Sequence, residues 1–235
     1  MNKLVIEGLR EKWPVTPGIN GKEERLNSAV LVMLILVDEE YHFVFQKRAA
    51  NIRQPGEICF PGGRFDPKKD VGFRETAIRE TSEELGVAKE KIRVIGMLDT
   101  IIAPMGTTVD AFLGTVDVGG VHDLRISSQE VAKVFTVPVA FFEDIEPEAY
   151  EIYFVAHPSF TNHTGAEVIS FPAKELGLSE RYWKPWGNAP YNVYVYRVAG
   201  EIIWGITARL IRDVISKIKT LSVQQGDRVG RELAD

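Results

Sequence analysis

A single cysteine, Cys59, stands in a chain of 235 residues. That excludes an intrachain disulfide and a cysteine-built zinc site, and within ICFPGG the residue reads as a small buried hydrophobe rather than a reactive thiol. The four histidines, His42, His122, His157 and His163, have no metal-ligand spacing and receive no role. Long apolar runs are missing too: the longest, Ala29 to Val37, falls far short of the roughly 20 residues of a membrane-spanning helix. The opening MNKLVIEGLREKW has no secretory h-region, so the cytoplasm is the expected compartment and no membrane is expected as partner. Positive charge is not in excess, with 28 Lys and Arg against 33 Asp and Glu, a net charge of −5 and a pI near 5.5. This argues against a broad nucleic-acid or anionic-membrane footprint. There is also no Pro/Gly/Ser-rich linker, internal repeat or low-complexity stretch. A hydrophobic content of 45% is ample for one core. The expected organisation is an N-terminal segment over 1–27, a single domain over 28–221 and a flexible polar tail over 222–235.

What is present alternates between strand and helix signals. Ala29 to Val37 is an aliphatic run without alternation, as in a strand buried on both faces. Tyr41 to Lys47 follows a hairpin turn at Asp38-Glu39-Glu40, and Asp70 to Leu85 reads as a helix stopped by Gly86. Further strands are expected at Ile92–Asp99, Ala111–Asp117 and Glu151–Ala156, with a short helix over Val139–Ile145. Tyr194–Val198 and Glu201–Trp204 form a candidate hairpin around Ala199-Gly200. From Gly205, the residues Ile206, Leu210, Val214, Ile218 and Leu221 recur every three or four positions, the mark of a helix docked on a core.

The densest chemistry lies in GGRFDPKKDVGFRETAIRETSEELGV, residues 62 to 87. At about 100° per residue, Glu80, Glu83 and Glu84 fall within an arc of roughly 100° that borders the apolar row Phe73, Ala77, Thr81 and Leu85. Like charges at such spacings repel, and Arg79 is only one cation among them. A divalent metal would resolve the conflict, and carboxylate oxygens suit Mg²⁺ or Mn²⁺.

The half-motif RETSEELGV resembles the signature of the Nudix hydrolase family at Arg79, Glu80, Glu83, Glu84, Gly86 and Val87. Thr81 stands where that family has an aliphatic residue. The loop from Gly63 to Arg79 is longer than the family pattern, so Asp70 is the nearest stand-in for its loop glutamate. Upstream, Arg48, Arg53, Gly56, Phe60, Pro61, Gly62 and Gly63 in FVFQKRAANIRQPGEICFPGG resemble the coenzyme A pyrophosphatase branch. Ala49 and Gln54 depart from that branch, which has serine and histidine there. The resemblance implies an α+β fold, an α/β/α sandwich with a mixed β-sheet between helices. It also implies hydrolysis of a diphosphate linkage by metal-activated water, with coenzyme A or acyl-coenzyme A giving 4′-phosphopantetheine and adenosine 3′,5′-bisphosphate. Other readings are a pyrophosphatase for ADP-ribose or another nucleoside diphosphate derivative, and a catalytically silent, nucleotide-sensing domain.

Under this resemblance Glu80, Glu83 and Glu84 are the metal ligands, Glu83 also counts among the catalytic residues, and Arg79 orients a carboxylate by a bidentate pair. Glu130, before the apolar segment VFTVP, is a candidate general base or additional ligand. Arg48, Arg53, Gly62 and Gly63 are candidate substrate contacts, the arginines by pairing with phosphate, although a solvated strand end would also explain them. IIWGITARLI resembles the branch's closing helix. The turn-rich RYWKPWGNAPYNVY, with Tyr182, Trp183, Trp186 and Tyr191, is open to three readings: recognition of adenine or pantetheine, a homodimer contact, or a satellite core.

Overall fold

The computed structural model describes Pro14 and residues 16–232, with side chains described to Leu221. Residues 1–13 and 15, most of the expected N-terminal segment, and 233–235 lie outside the described residues. The aliphatic run becomes β1 (Leu26–Val37) and pairs antiparallel with β2 (Glu40–Arg48). Their turn is two residues long, Asp38 and Glu39, both with positive φ (48° and 67°), a backbone twist that matches the flanking strands. β3 (Ile58–Cys59) and β4 (Gly62–Arg64) then lead into α1 (Phe73–Leu85). The helix begins three residues after Asp70, which stays in the loop before it.

After α1 come β5 (Ile92–Met97), β6 (Ile101–Ala103), β7 (Thr107–Val116), β8 (Val131–Pro138) and α2 (Val139–Asp144). The main sheet has the order β3-β2-β1-β7-β5, with β4 on β1, β6 on β7 and β8 on β2. β1 and β7 run parallel while their other neighbours are antiparallel, so the sheet is mixed. Because side chains alternate along a strand, β1 feeds two cores at once. Ala29, Leu31, Met33 and Ile35 pack with Ala77 and Leu85 of α1, whereas Val32 and Leu34 pack on the opposite face with Phe142 of α2. That second core is completed by Ala208, Ile211 and Val214 of α3 (Gly205–Glu232). The result is the expected mixed sheet between helices.

Between α2 and α3 in the chain come a smaller sheet, β9 (Glu148–Ala156), β12 (Trp186–Val198) and β13 (Glu201–Trp204), and a hairpin of β10 (Ser159–Thr161) and β11 (Glu167–Ile169). The β12–β13 turn is Ala199-Gly200, as expected, with both φ angles positive. Trp186 and Tyr191, expected among turn residues, are instead part of β12. Pro190 is compatible with that strand because β12 has only β9 beside it there, leaving the side without an N–H donor at a free edge. α3 also continues past Leu221, where the flexible tail was expected to begin, to Glu232. Its added stretch contains glycines, which weaken a helix by about 1 kcal/mol each, but no proline to end it.

The second core is held by rings. Phe142 sits edge-on to Phe43 (5.6 Å between centroids), Phe141 (5.1 Å) and Tyr196 (5.1 Å), and touches Phe45 at 6.1 Å. Truncating it would empty the junction of α2, β2 and β12. Phe142→Ala is expected to cost about 3–5 kcal/mol in chemical denaturation. A loss below about 1 kcal/mol would show that the junction does not hold this face together.

Candidate active site

The site forms where α1 closes on β4. Thr81, at the family's aliphatic position, is fully buried and satisfies its hydroxyl on the Ala77 carbonyl (2.7 Å), so it behaves as a core residue. One turn on, Gly86 ends the helix at φ 65° and its N–H bonds Ser82 O. Glu80 and Glu84 project toward the strand. A Cβ on Gly63 would lie 2.3 Å from the Glu80 carboxyl carbon, and one on Gly62 would lie 2.4 Å from Ala29 O. The Gly62 N–H donates to Glu84 Oε2 at 2.9 Å. Gly63 therefore makes room for the Glu80 carboxylate, while Gly62 lets β4 lie close against β1 and offers its N–H to Glu84. Their expected contact with substrate is a separate matter, taken up in the proposal below.

Arg79 is the hub. Its Nε and Nη2 grip Asp70 Oδ1 and Oδ2 at 2.7 and 2.8 Å, while Nη1 reaches Glu80 Oε1 at 2.8 Å and Glu83 Oε2 at 3.0 Å. Asp70 also accepts bonds from Thr76 Oγ1 (2.9 Å) and the Asp66 N–H (3.2 Å). These partners hold the Asp70 carboxyl well below the usual carboxylate range, the Arg79 bonds most of all, and raise Arg79 in return. The stand-in for the loop glutamate is thus the anchor of the arginine, and its oxygens are already occupied.

Glu84 is buried (5% exposed) and its carboxyl is pushed up to about 7, by desolvation first and by the charges of Glu80 and Glu130. Glu80 is raised as well, again by burial first, with Glu83 and Glu130 adding to the effect. Glu130 is brought here by its loop, in which the Arg125 and Ser127 N–H groups bond the last carbonyls of α1, Leu85 O (2.9 Å) and Glu84 O (2.8 Å). Its own carbonyl accepts the Ala49 N–H at 2.9 Å. The structure therefore gathers Glu80, Glu83, Glu84, Glu130 and Arg79. Arg48 is turned to the backbone instead, its Nε donating to Arg53 O at 2.8 Å, and Arg53 is exposed.

Sequence reasoning missed Gln46. It is buried (1% exposed), donates to Cys59 Sγ at 3.7 Å and hydrogen-bonds Glu84, while its Oε1 has no partner. The available signal was an amide placed directly after the apolar run Phe43-Val44-Phe45 of β2. Beside the carboxylates, Arg64, Phe65, Asp66, Lys69, Arg79 and Glu80 line a recess of about 380 Å³. Among the described residues, no three His, Cys, Asp or Glu side chains are already arranged to hold a metal ion. The donor chemistry nonetheless fits a hard cation. Its oxygens are all carboxylate, and Glu80 and Glu84 are pushed up by burial and by the charges of neighbouring glutamates, a strain that a cation relieves.

Two predictions follow from these charges. Asp70→Asn should cost about 3–5 kcal/mol at pH 7, since it leaves Arg79 buried with half its pairing gone. Because the folded carboxyl is depressed, that stabilisation is present above about pH 4 and is lost as pH falls below it, so the gap between wild type and variant should narrow in acid. A gap that is constant from pH 7 to 3 would contradict the ion pair. For Glu84 the sign reverses: its raised folded value favours the fold at low pH, and that advantage disappears as pH rises from about 4.5 through 7. Metal-free Glu84→Gln should then be more stable than wild type at pH 8, by up to ~3 kcal/mol, and about equal to it at pH 4. Equal melting temperatures at pH 8 would remove the buried-charge account.

Several known proteins are similar. Nudix hydrolase 3 of Caenorhabditis elegans is 39% identical over 118 residues, 48% of each chain. The human mitochondrial coenzyme A diphosphatase NUDT8 is 35% identical over 126 residues, 53% of each. An uncharacterized Nudix hydrolase NudL of Photorhabdus laumondii is 26% identical over 192 residues, covering 81% of this chain and 84% of that one. This chain therefore spans about half the length of the worm and human relatives. Among solved structures, a C. elegans Ap4A hydrolase binary complex aligns with a TM-score of 0.41 at 22% identity, over 48% of this chain and 80% of that one. The NUDIX domain model matches residues 27–155, from the second residue of β1 to the last but one of β9 and with the whole carboxylate site inside. That match covers more than half of the chain, which belongs to the NUDIX domain family.

Proposed function

We propose that the chain hydrolyses the diphosphate linkage of coenzyme A or its acyl derivatives, with Mg²⁺ or Mn²⁺ bound by Glu80, Glu83 and Glu84. The observation that carries the reading is the meeting of four glutamates around bare glycine backbone with a single guanidinium among them. When bound, the metal polarises the diphosphate and lowers the pKa of the attacking water. Glu130, on the loop clamped to the end of α1, accepts the proton of that water. Arg79, fixed by Asp70, orients Glu80 and Glu83 and does not itself meet substrate. Arg64 and Lys69 at the recess beside Glu80 give the phosphates cationic partners. Gly62 and Gly63 meet the diphosphate through the main chain beside Glu80 and Glu84, and exposed Arg53 meets it from the loop that Arg48 closes.

Water adds to one phosphorus, the bridging P–O bond breaks, and the products are 4′-phosphopantetheine and adenosine 3′,5′-bisphosphate. Coenzyme A is favoured over other diphosphates by the relative named as a coenzyme A diphosphatase, at 35% identity, together with the PGE-x-x-FPGG segment. The cytoplasm is retained as the proposed compartment. Among the described residues no helix is long and apolar enough to cross a membrane.

Purified protein with Mg²⁺ or Mn²⁺ should be assayed on coenzyme A, ADP-ribose, NADH and nucleoside triphosphates. The expected kcat/KM for coenzyme A exceeds that for ADP-ribose, and a ratio well below one sinks the substrate assignment. Glu83→Gln and Glu84→Gln should each lower kcat by at least about 100-fold with the fold retained, a loss of a few kcal/mol of transition-state stabilisation. Near-wild-type turnover of both variants at saturating metal would remove these glutamates from the mechanism.

A further inference from the structure

The sheet face opposite α1 carries a cavity of about 550 Å³, within the usual range for a small-molecule site. It lies between α3, α2, β12 and the β5–β6 connection, and Phe142, Leu210 and Ile215 give it an apolar floor. We propose that it recognises an adenosine that bears a 3′-phosphate, with Arg209 and Asp213 reading the ring edge and Arg212 and Lys219 taking the phosphate. The proposal rests on the coenzyme A reading above, whose nucleotide half has this chemistry.

Two hydrogen bonds are left unmade on the cavity side of α3. Arg209 Nε and Asp213 Oδ2 both line the cavity side of α3, and both are buried without a hydrogen-bond partner, a rarity in folded proteins. They are four residues apart and so share one helix face, yet they do not satisfy each other. Neighbours hold them apart. Arg209 donates through Nη2 to Asn192 O (2.7 Å) and lies over the rings of Tyr191 (4.8 Å) and Tyr194 (5.3 Å). Asp213 Oδ1 is held by Lys217 Nζ at 2.7 Å. What is left is one donor beside one acceptor. The edge of adenine offers the complement, a ring nitrogen that accepts next to an amino group that donates.

Lys217 also binds Asp99 Oδ2 (2.9 Å), so one cation is shared by two of the three carboxylates at the cavity. Glu146 is the third. Arg212 meets only the neutral Tyr194, through its hydroxyl (3.0 Å) and its ring (4.5 Å), and Lys219 has no ion pair among the described residues. With Lys217 counted beside Arg209, Arg212 and Lys219, cations outnumber Asp99, Glu146 and Asp213 by one, and the two cations without a carboxylate partner among the described residues, Arg212 and Lys219, suit an anionic group. A pantetheine arm, uncharged at its far end, would leave both cations without a partner.

α3 starts beside β3, where Thr207 Oγ1 donates to Ile58 O at 3.1 Å, and the next residue of β3, Cys59, bonds the Gln46 that touches Glu84. The wall of the cavity is thus tied through one strand to the carboxylate site.

Calorimetric titration of the full metal-free chain with adenosine 3′,5′-bisphosphate and with adenosine 5′-monophosphate tests the site. The bisphosphate should bind at least about tenfold more tightly, and Arg212→Ala or Lys219→Ala should abolish that advantage. Asp213→Asn should weaken both nucleotides alike. Arg212 and Lys219 are exposed, so their variants should melt as wild type does. Equal affinity for the two nucleotides, no binding, or indifference to both cation variants would overturn the proposal. Turnover of coenzyme A by the same samples separates the two readings. Turnover without a bisphosphate preference overturns this site alone. A bisphosphate preference lost in the variants, without turnover, upholds the site and overturns the substrate assignment.

Discussion

The closure of α1 onto β4 is the constraint on which the rest of the site depends. Glu80 is pressed against Gly63, where a methyl group would meet its carboxyl, and Gly62 lies so close to Ala29 and Val30 of β1 that it has no room for a side chain either. Glu80 and Glu84 lose water there, and their charge must be answered locally. Arg79 answers Glu80, and it can do so only if held, which is what Asp70 does from the loop before the helix. The length of that loop then matters less than its end point, since it has to return a carboxylate to the guanidinium whatever path it takes.

The balance is incomplete. One guanidinium distributed over Asp70, Glu80 and Glu83 leaves Glu84 with a backbone N–H, a glutamine amide and no cation. A buried carboxylate in that position is unfavourable for folding and favourable for binding a cation, and one residue cannot be optimised for both. The fold tolerates it because the other face of the helix is well packed. Ala77 and Leu85 are fully buried against β1, whose own residues alternate between this core and the one beneath α3. Stability thus comes from the sheet, and the carboxylates draw on it.

How much of this was legible in the sequence follows the same division. The helix with its glutamates, the buried strand and both hairpins were readable because each is written in a local period or turn signal, although the first turn is one residue shorter than Asp38-Glu39-Glu40, and the mixed sheet between helices followed from the family resemblance. The role of Asp70 was not: a carboxylate nine residues from its arginine looks the same whether it binds metal or guanidinium until the loop is folded. Gln46 was hidden for a related reason, since its partners Cys59 and Glu84 come from elements distant in the chain. The extent of β12 was missed because Gly187 and Pro190 are turn signals, and only the free edge of the strand makes them acceptable. The end of α3 was missed because polar, glycine-containing sequence lowers helix propensity without forbidding helix.

Under the two proposals, the faces of the sheet divide the labour between reaction and recognition. On the α1 face the charged groups are fixed by one another at 2.7 to 3.0 Å, and geometry there is set by a network that cannot move one member without the rest. On the α3 face, aromatic and aliphatic groups surround a cavity whose polar members stand apart. A diphosphate reaction needs the first kind of surface, because the charge to be stabilised is in a fixed place. Selection among diphosphates needs the second, because the substrates share their reacting centre and differ only in what is attached to it. Since β1, β2 and β3 carry residues of both faces, one sheet can hold the two surfaces in register, while substitutions on the α3 face alter specificity and leave the carboxylate network undisturbed.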